Sequence, residues 1–206
     1  TITNNLINTD RHGVVSVTNE IKNVVTDEGG DLRNLPELGF ETSFKAFRTW
    51  DDLLVLDDGD GLRHVAEPYL RHTYIPEPNV LPENLPQFDS VDELDERHDL
   101  KIGMRNKLQT KRSGLPVDLV DANVYTFYRI EKEEDEEDFD DVFFDTELRL
   151  VRWLPVDFDG RYDTEDGSLR TFNTQASFLM EDDSSLGLEY RYRRDDQNMI
   201  ALEGVL

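Results

Sequence analysis

In the second half of the chain, hydrophobic and polar positions alternate with a period of two. Val124, Thr126, Tyr128 and Ile130 alternate with Tyr125, Phe127, Arg129 and Glu131. After an acidic run the pattern resumes, with Phe144, Thr146, Leu148 and Leu150 set against Asp145, Glu147, Arg149 and Val151. This period predicts strands, and the aromatic and β-branched content suits a pleated, half-buried surface. Val124 to Trp153 therefore reads as a hairpin. Its tip, Glu133 to Asp138, is acidic throughout, and mutual repulsion predicts that it is solvated. Further on, Phe172, Thr174, Ala176, Phe178 and Met180 alternate with Thr171, Asn173, Gln175 and Ser177. Leu186, Leu188, Tyr190 and Tyr192 alternate with Gly187, Glu189, Arg191 and Arg193, which predicts a second hairpin. Met199 to Leu206 is one more apolar strand.

The first half is less regular. Residues 1–40 read as a polar N-terminal arm and loop, and 41–206 as a single β domain. Val14, Val17, Ile21, Val24 and Val25 fit a helix by spacing and a strand by composition. Gly29, Gly30, Pro36 and Gly39 point to a loop. Phe44 to Trp50 alternates, and Arg63 to Ile75 is strand-like, although Pro68 confines it to an edge, a strand start or a bulge. Pro76, Pro78, Pro82 and Pro86 predict an extended surface segment. Val91 to Lys111 reads as a helix, with Ser90 as N-cap and Leu94, Leu100, Met104 and Leu108 in phase, weakened by Gly103. The pattern as a whole predicts a mainly β chain: an antiparallel β-sandwich or jelly roll with one short helix and long loops.

Charge changes this picture most. The 206 residues carry 46 acids against 22 bases, a net charge of −24. Disorder is one reading of such a balance, but periodic apolar residues argue for a folded chain. Salt adaptation is the other, because at molar salt the Debye length is roughly 3 Å and self-repulsion costs little. The acidic balance also excludes a general nucleic-acid footprint. There is no cysteine, and so no disulfide framework or thiolate metal site. No window of about 18 apolar residues exists to form a membrane span, and Thr1 to Asn5 does not read as a secretory signal.

Candidate chemistry is sparse. Asp58, Asp60, Gly61 and Glu67 fall at positions 3, 5, 6 and 12 of an EF-hand loop, but position 1 is Leu56, where a carboxylate is required. A plain turn on an Asp-rich surface explains them. Asp157, Asp159, Asp163, Glu165 and Asp166 offer further oxygen ligands to a hard cation, or a diffuse counterion surface. His12, His64, His72 and His98 show no zinc spacing. No nucleophile elbow, phosphate-binding glycine loop or dinucleotide fingerprint is present, so neither an enzyme nor a cofactor is expected. Arg191, Arg193 and Arg194 are a dense basic cluster that reads either as a solvated face or as an assembly interface for an acidic neighbour.

Asp-rich, Lys-poor composition and the strand pattern over about residues 40–206 resemble single jelly-roll capsid or other virion structural proteins of halophilic archaeal viruses. That resemblance implies a haloadapted shell subunit without catalytic activity, located in the virion, that self-associates and meets other virion proteins, with no direct nucleic-acid contact. A tail or decoration protein of such a virus is the first alternative. The second is a soluble haloarchaeal module of the cytoplasm that binds a carbohydrate or a protein ligand.

Overall fold

The computed structural model describes residues 4–10, 13–25, 32–55, 59–77, 96–131, 137–180, 184–196 and 198–205, with side chains from Glu37 onward, 52–55 excepted. Twelve strands are formed: β1 (Asn4–Asp10), β2 (Gly13–Val25), β3 (Leu32–Ser43), β4 (Ala46–Val55), β5 (Gly59–Ile75), β6 (Arg97–Arg112), β7 (Leu115–Arg129), β8 (Val142–Leu148), β9 (Val156–Asp163), β10 (Ser168–Leu179), β11 (Ser185–Arg193) and β12 (Met199–Val205). Hydrogen-bonded neighbours follow chain order, β1-β2-β3-β5-β6-β7-β8-β9-β10-β11-β12, and β4 pairs with β5. The expectation of a mainly β, antiparallel chain therefore holds. Its finer form does not: the strands follow one sheet path as a meander, without the crossovers of a jelly roll among the described strands.

Three local expectations change. The segment assigned to a helix is strand β6 over its described part. Leu100, Met104 and Leu108 lie four residues apart, a spacing shared by a helical face and by alternate positions of a strand. Ile102 completes the period of two, and Lys101, Arg105 and Lys107 take the intervening positions. Ser90, Asp92 and Glu93, the proposed helix start, lie outside the described residues, as does most of the proline-rich segment. The residues read as arm and loop contain β1, β2 and most of β3, with Asn4–Asp10 paired to Gly13–Asn19 and Val14–Val25 paired to Leu32–Ser43. Of the acidic tip, Glu137 and Asp138 are exposed, and 132–136 lie outside the described residues.

Pro68 behaves as its chemistry demands. It stands inside β5, where it has no N–H to give the ladder. On one side of it Ser43 pairs with Tyr69, and on the other Ala46 pairs with Ala66, in unchanged register.

The chain divides into two compact units: Thr1–Phe44 with Tyr69–Ile102 and Phe127–Phe139, and Lys45–Pro68 with Gly103–Thr126 and Asp140–Leu206. In the first, Tyr69 and Ile75 are buried; in the second, Leu119 is. Among the described residues these three are the only buried hydrophobic side chains, while 23 large hydrophobic side chains are exposed. A water-soluble sandwich would bury its apolar face against a second sheet. Among the described residues these side chains are not covered in that way.

Candidate functional site

The second unit holds a sheet with two chemically distinct faces, set by cross-strand register. On one face the rows read Val120–Leu148–Val156–Ala176–Leu188–Leu202, then Ala122–Thr146–Phe158–Thr174–Tyr190–Ile200, then Val124–Phe144–Gly160–Phe172–Tyr192. Phe178 and Leu186 pair at one end, and Val142 and Tyr162 at the other. None of these positions is charged. Leu186, Leu188, Ile200 and Leu202 are exposed, the last two by 70% and 72%. Trp153, half exposed, packs against Phe178 at 6.1 Å between ring centroids. Tyr162 is exposed at the opposite end.

The other face is polar. Its rows read Asp121–Glu147–Asp157–Gln175–Glu189 and Asn123–Asp145–Asp159–Asn173–Arg191, followed by Tyr125–Phe143–Arg161–Thr171–Arg193. Carboxylates stand directly opposite one another at Glu147/Asp157 and Asp145/Asp159, an arrangement that repels unless neutralised. Arg149 Nη1 lies 2.7 Å from Asp157 Oδ1, Asn123 donates to Asp145 at 3.1 Å, and Asn173 donates to Asp159 at 2.8 Å.

The two candidate clusters of the sequence meet at the end of this face. Asp163 closes β9 just past the last apolar row, and it is 1% exposed. Its Oδ1 accepts the backbone N–H of Glu165 and of Asp166, each at 3.0 Å, and its Oδ2 accepts Arg170 Nε and Arg194 Nη2, each at 2.8 Å. The Asp166 N–H, then the Arg194 and Arg170 guanidiniums, hold the carboxyl well below the usual carboxylate range despite its burial. Arg194, in the turn after β11, also donates to Asp166 at 3.0 Å and Ser168 at 2.6 Å. Its bond to Asp163 raises its pKa further. Arg161 pairs with Asp141 and Asp140, the latter at 3.2 Å, and lies over the Phe143 ring at 5.2 Å.

Of the other sequence candidates, Asp58 lies outside the described residues. Asp60 is exposed in β5, and the backbone carbonyls of Asp60 and Gly61 accept the Thr110 hydroxyl at 3.4 and 2.7 Å. Glu67 pairs with Lys45 and Arg105. Gly59 to Glu67 runs as strand, so Asp60 and Glu67 stand about 23 Å apart along it and do not wrap a cation. Asp157 and Asp159 occupy successive polar positions of β9. Among the described residues no three His, Asp or Glu side chains are grouped to hold a metal ion. Arg191 pairs with Glu189 on its own strand, and Arg193 with Asp196 at 3.8 Å.

Sequence spacing missed one constellation. His72 Nε2 and His98 Nε2 meet at 3.0 Å, with Tyr74 against the His98 ring and Phe40 stacked on His72. Strand pairing brings these side chains together, and no linear spacing encodes it. His64 is held by Asn106 at 3.2 Å; His12 lies outside the described residues.

Known proteins correct the functional reading. A family model described as LptD, LPS transport system D, matches residues 15–204, and no curated protein matches the chain. This match overturns the resemblance to virion structural proteins of halophilic archaeal viruses, which rested on composition and strand count, features common to many acidic β proteins. The capsid, tail and decoration roles go with it, as do the virion partners and the virion location. The haloarchaeal binding module and its cytoplasmic location fall for the same reason, because the matched family belongs to the bacterial outer membrane. The match covers nearly the whole chain, which therefore belongs to the LptD family, component D of a lipopolysaccharide transport system.

Proposed function

We propose that this chain forms part of the strand-built, membrane-embedded component of lipopolysaccharide transport in a bacterial outer membrane. In this role it works alongside the other components of that system and makes or breaks no covalent bond. The observation that carries the reading is the uncharged, exposed face of β7–β12. Outer-membrane strands alternate apolar residues toward lipid with polar residues away from it, between aromatic girdles. The nine residues of β11 extend roughly 30 Å. Tilted by about 35–45°, they project roughly 21–25 Å, close to the apolar band of such proteins, about 25 Å tall. Trp153 and Phe178 mark one edge of the band and Tyr162 the other. The turns 163–168 and 194–196 lie beyond it.

No helix among the described residues is long and apolar enough to cross a membrane. That bears only on helices, since a spanning strand needs about 9–11 residues. The sequence expectation of no membrane span concerned a run of about 18 apolar residues, and the strands proposed here need no such run.

Leu188→Arg tests the reading. Arginine facing lipid near the middle of the band costs about 2–4 kcal/mol, and Leu188 lies one row from the middle, so we expect about 2 kcal/mol. The measurement is refolding from urea into phospholipid vesicles, followed by quenching of Trp153 by brominated acyl chains. Glu189→Gln, on the opposite face, should change insertion by no more than about 0.5 kcal/mol. A chain that folds without lipid and tolerates Leu188→Arg would overturn the membrane placement. Failure to restore surface lipopolysaccharide in a strain depleted of its own component, with insertion intact, would overturn the transport role.

A further inference from the structure

At the Tyr162 end of the polar face, Arg161, Arg170, Thr171, Arg193, Arg194 and Asp195 line an open cavity of about 390 Å³. Four guanidiniums around one cavity are unexpected in a chain of net charge −24. Register explains how they converge. Arg161, Thr171 and Arg193 are cross-strand partners in one row. The pairing of β9 with β10 shifts between Leu169 and Thr171, so Arg170 is the extra residue of a bulge. Bulges re-aim a side chain that regular pairing would send elsewhere, and here the side chain lines the same cavity. Arg194 follows the row at the turn, where its backbone N–H donates to the Arg170 carbonyl at 2.8 Å. Asp195 beside it has a positive φ of 62°.

Acids hold several of these cations in place. Buried Asp163 anchors Arg170 and Arg194; buried Asp141 pairs with Arg161 and lies 3.0 Å from Arg170 Nε. Asp140, Asp166 and Asp196 add outer contacts. Donors remain. Among the described residues, Arg170 Nη1 and Nη2, Arg161 Nη1, and Arg193 Nε and Nη2 make no hydrogen bond, and the single ion pair of Arg193 is 3.8 Å long. These planar forks match the oxygens of a phosphate. Asp195, the one acid in the lining, repels an anion placed against it but accepts a hydrogen bond from a hydroxyl.

We infer that this cavity binds a phosphate group that carries hydroxyls beside it, as on a phosphorylated sugar. The group can come from a lipid headgroup or from a soluble phosphate. The lipid source rests on the membrane reading above, whereas the phosphate chemistry does not.

The test uses the full chain, refolded in zwitterionic detergent and titrated calorimetrically with inorganic pyrophosphate. Saturable binding is expected, weakened about tenfold or more by Arg170→Gln with Arg193→Gln, because charge-assisted contacts are lost. Arg193 is exposed, so Arg193→Gln alone keeps the test valid if the double variant misfolds, with an expected loss of about threefold to tenfold. Absence of saturable binding by the unaltered chain, or binding unchanged in Arg193→Gln, overturns the proposal. A second arm adds micelles doped with a phosphate-monoester lipid. Competition with pyrophosphate assigns the site to a lipid headgroup, and its absence assigns it to a soluble phosphate. Leu188→Arg probes the membrane face separately, so failure of one reading is distinguishable from failure of the other.

Discussion

Gly160 sits in the apolar face between Phe144 on β8 and Phe172 on β10, and adding one methyl there probes how tightly the face is packed. A Cβ at this position would strike Phe144 Cζ and lie 3.0 Å from its Cε2 and 2.7 Å from the Thr171 carbonyl oxygen. The ring can swing away; the carbonyl, held in the sheet beside the Arg161–Thr171 pair, has far less freedom. Gly160→Ala therefore imposes two costs. Overpacking against backbone costs about 1–3 kcal/mol. Displacing Phe144 weakens its contacts with Phe158 and Phe172, both at 6.4 Å between centroids, and an aromatic pair contributes about 0.5–1.5 kcal/mol beyond its area. Together these predict a loss of about 2–4 kcal/mol, read as a lower urea midpoint in detergent micelles with unchanged slope. Phe144→Ala removes the ring that the new methyl would strike. The double variant should then be less destabilised than the sum of the singles by about 1–2 kcal/mol, within the range of coupling between residues in contact. A Gly160→Ala protein within about 0.5 kcal/mol of the original, or strict additivity in the cycle, would refute the packing argument.

Two further outcomes follow from single side chains. Because the carboxyl of Asp163 titrates below its unfolded value of about 3.9, it contributes stability at neutral pH that is lost as pH falls from there toward the folded value. Asp163→Asn should therefore lower the melting temperature at neutral pH and flatten its acid limb, and an unchanged acid limb would count against the arginine network. Thr110, 3% exposed, donates to the Gly61 carbonyl at 2.7 Å, so Thr110→Val should cost about 1–2 kcal/mol in a urea titration, while a neutral substitution would mean that this bond stabilises nothing.

The strands of the second unit were legible because alternation is a local property of the backbone. The apolar set Leu186, Leu188, Tyr190 and Tyr192, read from the sequence, lies on one face in the structure. Segments whose signals conflict were not legible. In β6 a spacing of four residues fits either period, and in β3 Pro36 and Gly39 mask a strand whose pairing is supplied by β2. The meeting of Asp163 with Arg170 and Arg194 was also hidden. It joins residues up to 31 positions apart through a hairpin register and a bulge, neither of which leaves a residue-type signature.

The functional misreading has a physical origin in the same alternation. A strand that is apolar on every second residue states only that one face avoids water. A second sheet satisfies that demand in a sandwich, and acyl chains satisfy it in a membrane; the residues in the strand are the same in both cases. Net charge misled for a related reason, since it averages over faces. Asp121, Asp145, Glu147, Asp157, Asp159 and Glu189 all stand on one side of the β7–β11 sheet, and the other side carries no charge in its paired rows. A salt-adapted soluble protein spreads its acids to keep its whole surface hydrated. Segregation by face is what a sheet needs when its two sides meet different surroundings, water on one and acyl chains or a second sheet on the other. The same composition thus points in opposite directions until strand register assigns each charge to a side.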